Sequence, residues 1–173
     1  RPEVYALLAG IILERDQNKE LAKRVVDQMV EENPESADAH LKRSVFLRSL
    51  GEKEEAMAAL DKAYELEPDS VNVARQKGAV AFEEKDYETA ENIFSAALEK
   101  NPDDLILYDL LSRTLVQEDK LDEALKVLDQ GAAKLGDAQI LGFSDLKLNI
   151  LFQQSDFDAI NEEVLRLERT QNP

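Results

Sequence analysis

Cysteine is absent from the chain, so neither disulfides nor thiolate chemistry can contribute to its fold or activity. That absence fits cytosol and periplasm equally and assigns no compartment. Tryptophan is also missing, aromatics make up 6%, and there is one histidine, His40. A lone histidine without cysteine cannot build a zinc site. Positive charge is scarce: 21 Lys and Arg stand against 37 Asp and Glu, a formal net charge of -16. Such a surface repels phosphate backbones and anionic lipid, which argues against nucleic-acid partners. The longest apolar run, Val4 to Leu13, is too short to span a bilayer, so no direct membrane insertion is expected. It also lacks the basic flank and cleavage site of a secretory leader. The chain starts at Arg1 rather than Met and is expected to be part of something longer, of unassigned localisation.

What the sequence does contain is a ruler. It is 43% hydrophobic, enough for a core, with only five prolines. Three of them, Pro34, Pro68 and Pro102, stand 34 residues apart, inside Asn33-Pro34-Glu35-Ser36, Glu67-Pro68-Asp69-Ser70 and Asn101-Pro102-Asp103-Asp104. Proline stops a helix and disfavours helix in the residue before it. The Ser or Asp that follows is a natural N-cap. Each tetrapeptide therefore ends one helix and starts the next, and the fixed period means one unit copied along the chain.

Apolar spacing predicts helices over about 3–16, 19–32, 37–49, 53–66, 71–84, 87–100, 105–118, 121–134, 139–153 and 157–170. The short turns between them require antiparallel neighbours. Within the frame, Ala22, Ala56, Ala90 and Ala124 recur. Twelve residues before them come Gly10, Ser44, Gly78 and Ser112; four after them come Val26, Leu60, Phe94 and Leu128. Small residues let paired helices approach, and the large ones fill the groove beside them.

A helix–turn–helix of 34 residues with this Gly/Ala, Ala and Pro frame resembles the tetratricopeptide repeat. The resemblance covers nearly the whole chain; Gly51, Ala56, Ala63 and Pro68 sit where the consensus wants them. It implies an all-α fold, a right-handed superhelical solenoid of antiparallel helix pairs. The expected layout is a single domain over 1–173, with repeats at about 3–36, 37–70, 71–104, 105–138 and 139–173, within a longer repeat protein. The frame slips near the end. Gly136 replaces the fourth proline, and copy five is displaced by about two residues, with Ile160 and Leu148 at the signature Ala and small-residue places. The stretch from Gly131 to Gly142 is expected to alter the stacking there, and the last copy ends at Asn172-Pro173.

No catalytic constellation stands out. G-x-S-x-G, Walker-type and G-x-G-x-x-G loops are absent. Acidic pairs such as Glu54-Glu55 and Asp103-Asp104 fall at helix starts, where they complement the dipole. His40 reads as a packing residue. No enzyme activity, cofactor or metal is expected.

The resemblance implies that the first helix of each pair lines a concave side where a peptide or helix of a partner binds. The groove candidates are Leu7, Ile11 and Arg15 in copy one and Leu41, Val45 and Arg48 in copy two. Copy three offers Asn72, Arg75 and Phe82, and copy four Asp109, Arg113 and Gln117. Each of the first four copies thus brings one arginine. These arginines either anchor an acidic or C-terminal peptide or pair with Glu14, Asp38, Glu83 and Asp109 on the same face. The family's chaperone-binding subclass holds a terminal aspartate in a Lys/Asn/Arg clamp. The matching places here hold Leu7, Ile11, Lys42, Asn72 and Gln76, which argues against Hsp70 or Hsp90 tails. The sugar-transferase subclass has an asparagine ladder, and here its places hold Leu8, Lys42, Gln76, Leu110 and Leu146. The expected function is a protein–protein interaction scaffold or adaptor for a protein or peptide partner. The alternatives are a self-associating homo-oligomer, or an accessory arm of an enzyme or of a secretion or assembly complex.

Overall fold

A computed structural model describes residues 1–171, apart from the side chains of residues 135, 137–141 and 170–171. Asn172 and Pro173 lie outside the described residues. Among the described residues ten helices follow one another: α1 (Pro2–Asp16), α2 (Lys19–Glu32), α3 (Ala37–Leu50), α4 (Lys53–Leu66), α5 (Val71–Glu83), α6 (Tyr87–Lys100), α7 (Leu105–Gln117), α8 (Leu121–Leu135), α9 (Asp137–Gln153) and α10 (Phe157–Gln171). Their ends match the expected bounds to within two residues, and no strand occurs among the described residues.

The proline tetrapeptides form one turn three times. The carbonyls of Asn33, Glu67 and Asn101 accept from the N–H groups of Ser36, Ser70 and Asp104, each at 3.1 Å. Proline is suited to the second position of such a turn because its φ is already set. Ser36 Oγ then accepts from Ala39 N, and Asp104 Oδ1 from Ile106 N and Leu107 N, capping α3 and α7. The turns inside each pair repeat as well. Gln17, Gly51, Lys85 and Asp119, spaced by 34, all adopt positive φ, and Ser155 follows 36 residues after Asp119. The N–H groups of Glu52, Asp86, Lys120 and Asp156 each reach back to the carbonyl five residues earlier, the closure of a helix ending in a left-handed residue.

The chain divides into two compact units, one of residues 1–77 and the other from Gly78 onward, so the division falls within α5. In the first unit α1 packs on α2, α3 on α4, α2 on α3 and α1 on α3. Its core contains Ala9, Ile12, Ala22, Val26, Met29 and Ala39. In the second unit α6 packs on α7, α7 on α8, α8 on α9 and α9 on α10. Phe94, Leu107, Leu128 and Ile150 are fully buried there. A Cβ on Gly78 would come within 2.3 Å of the Phe94 ring, so the large residue of that pair occupies the space beside the small one. Gly131 is likewise filled in, with Tyr108 and Phe143 on it, and those rings meet edge-on at 6.2 Å.

Ion pairs at repeated places tie the first pair to the second, the second to the third and the fourth to the fifth. Asp27 binds Arg43 Nε at 2.8 Å, Asp61 binds Lys77 Nζ at 2.8 Å, and Asp129 binds Lys147 Nζ at 2.6 Å. The aspartate stands on a second helix and the cation on the following first helix. The spacing is 16 residues twice and 18 in the last pair.

Candidate functional site

The first unit carries a cavity of about 530 Å³ bordered by α1, α3 and α5. It is lined by Ala6; by Asp38, Leu41, Lys42, Val45, Phe46 and Ser49; and by Asn72, Arg75 and Gln76. Steps of three and four residues along α3 and α5 put these side chains on one face of each helix. The 34-residue frame superposes Asp38 on Asn72, Leu41 on Arg75 and Lys42 on Gln76. One repeat earlier the same places hold Val4, Leu7 and Leu8, with Ile11 at the place of Val45. Val4, Leu7, Leu8 and Ile11 are all exposed, Leu7 at 67%. The face therefore changes from wholly apolar on α1, through mixed on α3, to Asn72, Arg75 and Gln76 on α5, where Ala79 holds the place of Ile11 and Val45.

The lining carries two cations, Lys42 and Arg75, against one carboxylate, Asp38. Asp38 accepts a hydrogen bond from Lys42 one turn along α3. The same ammonium lies 3.9 Å from Glu3.

Of the sequence candidates, Leu41, Val45, Asn72 and Arg75 come together in this lining. Leu7 and Ile11 stand outside it on the exposed face of α1. Arg15 is exposed in the last turn of α1, and Arg48 is half-buried on α3. In the second unit Phe82 meets Tyr87 edge-on at 5.3 Å, and the Tyr87 hydroxyl donates to Gln117 at 3.5 Å. Arg113 Nε donates to Asp109 at 2.7 Å. That hydrogen bond holds the guanidinium above its ordinary pKa, against a smaller opposing effect of burial. This arginine is paired on its own face. Ala6, Lys42, Phe46 and Gln76 were not among the groove candidates. The signal for Lys42 and Gln76 is their place beside Leu41 and Arg75, one step around each helix.

His40 Nε2 lies 2.8 Å from the Pro34 carbonyl. Two repeats later the Tyr108 hydroxyl donates to the Pro102 carbonyl at 3.1 Å. Both tie a first helix to the turn before it. Among the described residues no group of three or more acidic or histidine side chains is placed to hold a metal, and no helix is long and apolar enough to cross a membrane.

Two family models described as tetratricopeptide repeat match, one over residues 7–71 and the other over 81–143. The chain belongs to the tetratricopeptide repeat family. Among curated proteins, Hsp70-Hsp90 organizing protein 2 of Arabidopsis thaliana is 28% identical over 138 residues, 79% of this chain and 24% of that protein. Hsp70-Hsp90 organizing protein of Triticum aestivum is 30% identical over 94 residues, 54% of this chain and 16% of the relative. This tetratricopeptide repeat chain thus spans a quarter or less of the length of those relatives. Among solved structures, MamA from Desulfovibrio magneticus RS-1 superposes with a TM-score of 0.75 at 20% identity, over 99% of this chain and 97% of that one. Pseudomonas aeruginosa pilF gives 0.76 at 20% identity, over 98% and 76%. At such identities the likeness is one of fold.

Proposed function

We propose that the chain is a protein–protein interaction module, not an enzyme, and that it holds a segment of a partner protein in the groove of α1, α3 and α5. The carrying observation is the 530 Å³ cavity, whose lining mixes Leu41, Val45 and Phe46 with Asn72, Arg75 and Gln76. Apolar floors with a few placed polar groups are the usual make-up of a binding groove. The likeness to relatives named for organising Hsp70 and Hsp90 supports an interaction role. The clamp places still hold Leu7, Ile11, Lys42, Asn72 and Gln76, so the partner is not a chaperone tail held by that clamp. Arg15 and Arg48 flank that groove in the first unit, and Phe82, Asp109, Arg113 and Gln117 are proposed as partner-facing positions within the second unit taken by itself.

A photo-crosslinking residue at Val45 or Asn72, compared with one at Lys62 on a second helix, tests the reading in cells. Crosslinks to one partner segment are expected at the first two positions only. Equal yield from Lys62 overturns it. A second reading, self-association, is favoured by the exposed Phe152, Phe157, Val164 and Leu165 of the last pair. A monomeric mass by sedimentation at high micromolar concentration removes it.

A further inference from the structure

The N-cap of each second helix is one repeated place, and it is filled in two ways. Asn18, Asp86 and Asp156 accept from the backbone N–H three residues on and cap α2, α6 and α10. Glu52 and Lys120 make no cap bond to α4 and α8. Lysine is the worse choice there, since it offers no acceptor and puts positive charge at the positive end of the helix. A local preference given up marks a residue kept for something else. Both side chains reach across to the preceding pair. Glu52 binds Lys23 Nζ at 2.5 Å, and Lys120 Nζ binds Glu91 at 2.6 Å. Lys23 and Glu91 share one repeated place, two repeats apart, and Glu52 and Lys120 share the other. The same bridge is thus built twice with its charges exchanged.

A second place at these joints differs in step. Between pairs one and two Asp27 binds Arg43, while between pairs three and four the equivalent places hold Ser95 and Leu111. We infer that the exchanged bridge is a key against the swapping of helix pairs between copies of this chain. Pair three accepts pair four and rejects pair two, and pair one accepts pair two and rejects pair four. Pair four stacked on pair one of another copy would set Lys120 against Lys23 and Leu111 against Asp27. Pair two stacked on pair three would set Glu52 against Glu91 and leave Arg43 beside Ser95. Each wrong joint has like charges at one place and a charge without its partner at the other, and such repulsion selects among otherwise similar surfaces. The hazard is inherent in the fold, because pairs built on one frame present similar faces and swapping is a common failure of repeat chains. The bridges are partly exposed, Lys120 at 37% and Glu91 at 26% of the side chain, so they add little to stability. Their effect lies in what they exclude.

The test is refolding of the full chain as a mixture. The chain has no cysteine, so a single Lys62→Cys change on the exposed face of α4 carries either a donor or an acceptor dye. Equal amounts are unfolded together in urea and refolded. Energy transfer above that of folded chains merely mixed reports swapped pairs, and association at any exposed surface is contained in that baseline. The parent is compared with two variants. Glu91→Lys/Lys120→Glu gives both joints the same sense. The second variant adds Lys23→Glu/Glu52→Lys, which makes the senses opposite again. It also carries Glu55→Gln, because Glu55 binds Lys23 at 3.0 Å and would face a like charge. Swapping is expected to rise roughly tenfold in the first variant and to return to the parent's level in the second. Both variants carry the same changes at Glu91 and Lys120. Any local loss there, including repulsion from Glu118, 3.3 Å from Lys120, is common to them and cannot produce the difference. Equal swapping in all three chains, or a rise that the second variant keeps, overturns the key.

Discussion

Ala22, Ala56, Ala90 and Ala124 are sealed between the helices of the first four pairs, and the large residues four places on, Val26, Leu60, Phe94 and Leu128, are sealed with them. In the fifth pair the same places, two residues later, hold Ile160, which is half-buried, and Val164, which is 40% exposed. Leu148 stands where the others have Gly or Ser. The difference shows what the small residues do. They set the distance at which two helices can close over a large side chain, and with Ile and Leu in their place the fifth pair leaves Ile160 half-buried and Val164 exposed. The place of Ala59 is taken by Glu163, still buried at 4%. Its carboxylate binds Lys147 at 2.9 Å and lies 3.7 Å from Arg166, as burial of a charge requires.

Making a regular pair resemble the fifth should have the largest effect. Ala56→Ile places three more carbons where 1% of the residue is accessible, and overpacking of this kind costs about 3 kcal/mol. The reverse change, Ile160→Ala, should cost only about 1 kcal/mol, because that side chain is half-buried and the site can relax. Urea unfolding of both variants measures the contrast. Equal losses would show that the fifth pair is packed like the others.

A smaller effect separates two glycines at the same repeat position. Gly78→Ala drives a methyl into the Phe94 ring, while a Cβ on Gly10 meets nothing within 4 Å. The first should lose about 2 kcal/mol, and the second should gain up to about 1 kcal/mol from helix propensity. Adding Phe94→Leu to Gly78→Ala should recover part of the loss, since Leu accompanies the Ser of pairs two and four. A double-mutant cycle reads that coupling directly; additive losses would deny that ring and glycine share the space.

Most of this architecture was legible because its signals are local and periodic. Pro34, Pro68 and Pro102 fixed the turns, and the Ser36 and Asp104 caps followed from them. The two-residue displacement of copy five, read from Ile160, recurs in the Ser155 turn and in the 18-residue spacing of Asp129 and Lys147. The groove was less legible, because a repeat frame assigns a face to a residue but not the contacts it makes there. Arg113 and Arg75 share a frame face, yet one lies on Asp109 and the other lines a cavity. The ion-pair ladder was missed although Asp27, Asp61 and Asp129 obey the period. Ser95 and Leu111 hold the third set of places and interrupt the pattern.

The smallest expected effect concerns the left-handed turns, where the pairs differ in residue but not in geometry. Gly51 has φ 84, whereas Lys85, Asp119 and Ser155 have φ 64, 60 and 58. An L-residue in this region carries a penalty of roughly 1–2 kcal/mol, and glycine avoids it at an entropic cost of roughly 0.5–1 kcal/mol. Lys85→Gly should therefore stabilise by about 0.5 kcal/mol, and Gly51→Ala should destabilise by about 1 kcal/mol. Asp119→Gly should gain less than Lys85→Gly, because a short polar side chain that bonds locally tolerates the left-handed region better. Ser155→Gly compares the fifth pair on equal terms. A gain like that at Lys85 would mean that the displaced pair keeps an ordinary turn and differs only in its packing. A loss there would mean that the Ser155 side chain itself holds the displaced turn in register.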